Sequence, residues 1–302
     1  MNSERVEILV GNTPESAVVF QIAERQRRVL SDYYSNVSIG FDREATISIV
    51  HKVGVDVRNC CGIKILYFHF DPYDIRIRSE IVNLDDYLNL FDIVVCLNRK
   101  QVFYCDKRGI KNTLIPHGSD FSPYKNLVHS EDDNPVMALV CDYYRGNVKG
   151  EKYFFELSER MSGVLDFKVI GKGWRSSGVT SKNVEILNVD SYSELKSHFH
   201  SVDIMFIGSR YEAGPASFPD AVNSNKYVIA TPVGMVLDNF IEDISGHYLT
   251  FDLKKDLSNI NKILNRVLNN IPARFNFIYP NWNEQIRGII EVVDESRNQK
   301  NQ

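Results

Sequence analysis

The sequence predicts an α/β protein made of two halves of parallel sheet, and two observations carry that expectation. Apolar runs rich in β-branched residues alternate with longer segments of helical period, the pattern of parallel strands joined by helices. The alternation breaks once, at the polar, acidic, proline-closed segment "SPYKNLVHSEDDNP" (122–135), and then restarts. A chain of 302 residues suits one large domain or two of ordinary size.

In the first half the expected strands are "VEILVG", "VSIGF", "ATISIV", "KILYFHF", "DIVVCL" and "NTLIPHG". A helix is expected over 16–34, with shorter pieces near "LDDYLNL" and over 100–109. The second half offers "VMALVC", "DFKVIG", "VEIL", "DIMFIG" and "YVIATP", with helices over 151–161, 193–201 and 218–224. "WNEQIRGIIEVV" reads as an amphipathic helix, and the tail "DESRNQKNQ" as disordered. The expected domains are therefore 1–130 and 131–280, with 281–302 as a crossover helix and tail. Both domains are Rossmann-like. Such sheets bind ligands beyond the carboxyl ends of their strands, so a cleft between the halves is the expected site.

Composition removes several function classes. A net charge of -4 leaves no global basic excess to hold nucleic acid, and the basic runs 25–28 and 76–78 read as solvated faces. The five cysteines contain no Cys-x-x-Cys pair, so neither a zinc knuckle nor a disulfide framework is indicated, and a reducing cytoplasm is expected. The amino-terminal stretch lacks a signal-peptide core, and no apolar run approaches the ~20 residues that cross a bilayer. The protein is expected to be cytoplasmic, with at most peripheral contact at the inner face of a membrane. His198 and His200 lie two apart on an expected helix and face different ways, a poor metal pair.

The most informative stretch is "DIMFIGSRYEAGPASFPDAVNSNKYVIATPVG" (203–234). A buried strand ends at Gly208, a short loop carries Glu212, and "GPAS" leads into a helix with Asp220 in its first turn. A helix start offers unpaired N–H groups that suit a diphosphate, and nearby carboxylates accept hydrogen bonds from sugar and ribose hydroxyls. Gly214, Pro215, Ala216 and Ser217 form the approach to that helix. Taken singly, Glu212 also fits an ordinary loop acid and Asp220 an ordinary stabiliser of a helix start.

This stretch resembles the signature of retaining family-4 glycosyltransferases (glycosyl transferases group 1). In that family a first acid contacts the transferred sugar and a second, after seven residues, holds the ribose. Glu212 and Asp220 occupy the matching positions, with Asp where the family usually has Glu. "YYRGNVKGEKYFFEL" resembles the family's Arg…Lys-Gly segment, which implies that Arg145 and Lys149 stabilise the departing diphosphate. "FKVIGKG" resembles the next glycine turn, at Gly171, and "VEILNVDSYSEL" the segment that reads the base, at Asn188 and Val189. "YPNWNEQIRGII" resembles the last helix, where Trp282 is a packing residue.

In the first half, "PHGSD" stands at the family's Pro-Asn/His-Gly-x-Asp turn, which makes His117 and Asp120 cleft-edge candidates; a simple Asp-stabilised turn serves equally. Gly11 and Asn12 occupy the place of the first glycine loop, reduced here to "VGNTPES". "YFHFDPYD" ends a buried strand, so His69, Asp71 and Asp74 are further candidates, with His69 where many relatives keep a functional histidine. That strand end also fits the family's spore-maturation-type branch.

The resemblance implies the GT-B fold, two Rossmann-like domains facing across a cleft. It further implies a hexosyltransferase using a UDP- or GDP-sugar, a glycan, lipid-linked or other hydroxyl acceptor, retention of configuration, and a setting in surface-glycan biosynthesis. No cofactor is expected, the nucleotide-sugar being a substrate. No metal is expected either, because no Asp-x-Asp pair occurs. Two other functions remain open: a catalytically silent subunit that binds a nucleotide-sugar or partner, and an NAD-dependent oxidoreductase, for which "GKGWRS" lacks the full glycine fingerprint.

Overall fold

The computed structural model describes residues 2–13, 18–74, 81, 83–123, 133–144, 146–179 and 181–300. The candidate Arg145, the basic run 76–78, residues 14–17 at the start of the first expected helix, and 124–132 of the interrupting segment lie outside the described residues. The chain divides into two compact units. One holds Met1–Asp120, Tyr211–Ala216 and Tyr279–Gln302; the other holds Phe121–Arg210 and Ser217–Ile278.

The first unit opens with β1 (Asn2–Leu9), α1 (Val18–Leu30), β2 (Tyr34–Ile39), β3 (Ile47–Val50) and β4 (Ile63–Phe68). It continues through α2 (Leu84–Leu88), β5 (Ile93–Cys96), α3 (Arg99–Asp106) and β6 (Asn112–Leu114). The strands form one parallel sheet in the order β2-β1-β3-β4-β5-β6. β3 and β5 are buried at every position, as strands covered on both faces must be. Glu7 lies in β1 without exposure, and two donors satisfy it, Ser48 Oγ at 2.6 Å and Asp42 N at 2.7 Å. The first helix stops earlier than its pattern suggests. Asp32 N and Tyr33 N turn back onto Val29 O and Leu30 O, and Tyr34, a good strand former, begins β2.

The second unit runs β7 (Val136–Val140), α4 (Glu151–Arg160), β8 (Asp166–Ile170), β9 (Val184–Leu187), α5 (Tyr192–Phe199) and β10 (Ile204–Ile207). Then come α6 (Ser217–Asn223), β11 (Tyr227–Ala230), α7 (Gly234–Asn239), β12 (Gly246–Tyr248) and α8 (Leu253–Leu268). Its parallel sheet has the order β12-β11-β10-β7-β8-β9. α7, β12 and α8 were not anticipated. Yet α8 follows elementary rules: Asp252 accepts from Lys255 N to cap it, and Ile260, Ile263, Leu264 and Val267 form its buried stripe. The core beneath joins that stripe to Phe154, Phe167, Phe206 and Trp174, whose indole N–H donates to Cys141 O at 2.7 Å.

The last helix, α9 (Trp282–Lys300), belongs to the first unit and packs on α1 and β4. The expectation of a disordered tail is corrected: "DESRNQK" continues the helix to Lys300. The apolar stripe Ile286, Ile289 and Val293 runs on to the buried Ser296, and Arg297 pairs with Asp294 and with Glu4 of β1. Ile289 is fully buried, so Ile289→Ala removes a well-packed side chain and should cost about 2–5 kcal/mol in the unit that holds it. Urea unfolding followed by circular dichroism checks this; an unshifted first transition would show that α9 does not hold the unit together.

Candidate active site

Each sheet reverses its strand order once, and in such sheets the crevice beyond the carboxyl ends at the reversal is where ligands bind. In the second unit the reversal lies between β7 and β10. The loops that leave these strands meet there. Gly150 has φ 76°, and a Cβ on it would fall 2.5 Å from Gly208 O; a Cβ on Gly208 would fall 3.0 Å from Lys149 O. Only glycine allows both the left-handed turn and the contact. Lys149 therefore sits in a backbone turn fixed against the exit of β10. Its ammonium lies 5.6 Å from the Tyr144 ring centre, and its N–H donates to Glu151 at 2.9 Å.

The neighbouring strand ends contribute the other candidates. Gly171 follows β8, and a Cβ there would lie 2.0 Å from Cys141 O, so the β7 and β8 exits are in contact. Asn188 follows β9 and accepts from Gly173 N at 3.2 Å; Val189 beside it is buried. Beyond β10, Thr231 Oγ1 donates to Ser209 O, tying that exit to β11. Ser217 opens the seven-residue α6, in which Asp220 is 6% exposed and receives the Tyr192 hydroxyl at 3.5 Å. Tyr192 starts α5, three residues past Val189, so the ribose candidate and the base-reading loop are linked. Sequence reasoning missed Tyr192.

Glu212, Gly214, Pro215 and Ala216 lie in the loop 211–216, which counts with the first unit. Glu212 is half-buried, and next to it Ala213 is fully buried, its carbonyl accepting from Asn98 Nδ2 at 2.6 Å. Gly11, with φ 58°, turns the chain after β1, and Asn12 beside it is exposed.

A layer of aromatic rings occupies the first unit. His51, His69 and His117 follow β3, β4 and β6 by one, one and three residues. His51 and His69 stack with centres 5.0 Å apart, His69 and His117 with centres 5.3 Å apart, and Tyr67 lies against all three. His51 Nδ1 is 2.7 Å from His69 Nε2, and His51 Nε2 is 2.8 Å from Gln26 Oε1. With Gln26 Oε1 accepting, His51 carries its proton on Nε2 and accepts at Nδ1. His69 must then donate through Nε2, which leaves its Nδ1 as an acceptor. His117 also meets the Trp282 ring, and Ser119 N donates to Pro280 O at 2.9 Å, so the "PHG" turn packs on the start of α9. Asp120 is exposed. Asp71 and Asp74 are buried, and Asp71 accepts from Lys100 Nζ at 2.6 Å.

Among the described residues one cluster of metal-ligand type occurs, Glu242, Asp243 and His247. Both ring nitrogens of His247 already face protein partners, Glu242 through Nδ1 and Asn259 through Nε2.

Two six-stranded parallel sheets with alternating helices define the GT-B architecture of glycosyltransferases. Among solved structures the chain is similar to a sucrose-phosphate synthase from Thermosynechococcus elongatus, at 12% identity and a TM-score of 0.70, over 98% of each chain. It is also similar to Anabaena HepE in complex with UDP and glucose, at 9% identity and a TM-score of 0.65, over 97% of this chain and 100% of that one. A glycosyltransferase from Rickettsia africae matches at 12% identity and a TM-score of 0.62, over 98% and 99%. No protein-family profile and no curated protein matches the chain.

Burial lowers His51 to about 3, helped by His117; it lowers His117 to about 3, with the Arg25 charge adding; it also lowers His69, beside the other two. All three are neutral when folded and regain an ordinary value near 6.5 on unfolding. Their stabilisation is complete above that value, and it falls as pH drops below it, because the unfolded chain then binds more protons. The loss should reach about 1.4 kcal/mol per histidine per pH unit. Urea titrations at pH 7.5 and 5.5 measure it; His51→Gln should flatten the slope, and a midpoint indifferent to pH would refute neutral burial.

Proposed function

We propose that this chain is a glycosyltransferase that moves a hexose-like unit from a UDP- or GDP-sugar to a hydroxyl of a glycan, lipid-linked or other acceptor. The observation that carries the reading is the switch point of the second sheet. There the Lys149–Gly150 turn is seated on Gly208, and Asp220 lies beside Tyr192 at the start of α5; the chain leaving the strand that ends at Ile207 continues to Glu212. The TM-scores support the fold, and HepE, similar in fold, is found in complex with UDP and glucose.

In the reaction the bond from the anomeric carbon to the diphosphate oxygen breaks, and its electron pair leaves with the nucleotide. The acceptor oxygen bonds to the anomeric carbon, and its proton passes to the departing diphosphate oxygen. Charge grows on the departing diphosphate, where Lys149 stabilises it most in the transition state. Arg145 is assigned the same task on the resemblance alone. Glu212 accepts hydrogen bonds from donor-sugar hydroxyls, and the amides of Gly214, Ala216 and Ser217 support sugar or phosphate. His69 Nδ1 offers a further lone pair to a hydroxyl. Asp220 holds the ribose, with the Tyr192 hydroxyl fixing its carboxylate. Gly171, Asn188 and Val189 border the base. Gly11 is assigned to the donor, and His117 and Asp120 to the cleft edge, on the resemblance alone.

Retention, metal independence, membership of the family-4-like group, its spore-maturation-type branch, and a place in surface-glycan synthesis at the cytoplasmic side complete the proposal. They rest on the motif resemblance. No described helix is long and apolar enough to cross a membrane.

UDP or GDP release from a panel of nucleotide-sugars, after a thermal-shift screen for binding, tests the reading. Glu212→Ala should abolish turnover with an unchanged melting temperature. Lys149→Ala should lose on the order of 2–4 kcal/mol of transition-state stabilisation, read as a lower kcat/KM. Normal rates in both variants would remove these residues from the chemistry. Binding without release by the wild type would instead favour a silent nucleotide-sugar-binding subunit.

A further inference from the structure

The first turn of α3 holds two buried side-chain amides whose bonds lead to both halves of the proposed chemistry in the first unit. Gln101 is fully buried. Its Oε1 accepts from Leu97 N at 2.7 Å, and its Nε2 donates to Phe68 O at 2.6 Å and to Phe70 O at 2.8 Å. Those two carbonyls flank His69. Asn98, 1% exposed, caps the same helix, with Oδ1 accepting from Gln101 N at 2.9 Å. Its Nδ2 donates at 2.6 Å to Ala213 O, 115 residues further along the chain and adjacent to Glu212.

A helix cap explains only half of this. Capping uses the side-chain oxygen, and Ser, Thr or Asp serve as well as Asn. The amide hydrogens on Asn98 do nothing for the helix; they serve the loop 211–216. A buried amide or carbonyl left unpaired is costly, so each bond in the chain Phe68/Phe70–Gln101–Asn98–Ala213 resists being broken. Hydrogen-bonded throughout and closed off from water, the chain acts as one rigid piece.

We propose that Asn98 and Gln101 are positioning residues that fix the backbones of His69 and Glu212 to one common reference, the first turn of α3. This rests on the reading of Glu212 as the acid that orients the donor sugar. Neither amide touches substrate. They act through the peptide groups beside the two functional side chains, where small misplacements are expensive in rate.

The test uses the full chain carrying Asn98→Ser, which keeps an oxygen cap and loses the Nδ2 donor. Asn83→Ala is the control: it removes the cap of α2, where Asn83 accepts from Asp85 N and Asp86 N, far in sequence from the loop. Hydrogen exchange by mass spectrometry reads the loop 211–216 directly, whatever the donor. Asn98→Ser should speed exchange there by roughly tenfold, while Asn83→Ala, matched for any loss of thermal stability, should not. Equal exchange in wild type and Asn98→Ser overturns the proposal.

The second readout is nucleotide release from UDP-glucose. Asn98→Ser should lower kcat on the order of 100-fold with KM within a few-fold, because Lys149 and Asp220 are untouched. A parallel rise in KM at constant kcat would also overturn it. The two failures separate cleanly. An active Glu212→Ala defeats the reading of the site, whereas an inactive Glu212→Ala beside a normal Asn98→Ser defeats only the positioning.

Discussion

A parallel sheet covered on both faces has no solvated face on which to keep polar chemistry. Its strands are therefore mostly apolar, as β5, β10 and β11 are here. Apart from the hydrogen-bonded Glu7–Ser48 pair, polar groups gather at the ends, and helices that return over the faces leave the carboxyl ends as the place where loops are free to vary. Lys149, Gly171, Asn188 and Gly208 follow four strands of one sheet; Gly11, His51 and His69 follow three strands of the other. The distribution of candidate residues is a consequence of the core, before any ligand is considered.

The same constraint explains what was legible. The alternation of apolar runs and helical segments located every strand from β1 to β11, because buried parallel strands are nearly continuous Val, Ile and Leu. The short edge strand β12 has only three residues, Gly246–Tyr248, with no apolar run to mark it. The tail was misread for a related reason. Its residues look polar one by one, but Ile286, Ile289 and Val293 carry the period forward, and Arg297 finds its partner in Glu4, 293 residues away. No local pattern contains such a partner.

Within the site, the loop acids and the Lys-Gly turn stood out because glycine and charge are conspicuous next to apolar strands. The supporting shell was invisible for the opposite reason. Asn98 looks like any helix cap, Gln101 like any helix former, and Tyr192 like any aromatic at a helix start. Their roles depend on contacts across 28 to 115 residues, which composition and spacing do not encode. One signal was only partly read: His69 and His117 were named as candidates, whereas His51, which directly follows the expected strand "ATISIV", was not. A histidine at a strand's carboxyl end is a candidate for the same end of the same sheet as its neighbours.

Those three histidines also show why the fold selects neutral rather than charged imidazoles at that end. An imidazolium buried against Tyr67 and its neighbouring histidine rings would lose its hydration, and burial is the leading cause of each lowered pKa. Neutral rings can instead hydrogen-bond in sequence. With Gln26 Oε1 accepting from His51 Nε2, His51 Nδ1 accepts from His69 Nε2. In that arrangement a glutamine oxygen two hydrogen bonds away leaves the lone pair of His69 at Nδ1, the acceptor that the proposed function uses. Gln101 fixes the His69 backbone through its flanking carbonyls, and Gln26 fixes its tautomer through His51. Position and protonation are thus set by two separate buried amides, and neither depends on a charge that ionic strength would screen.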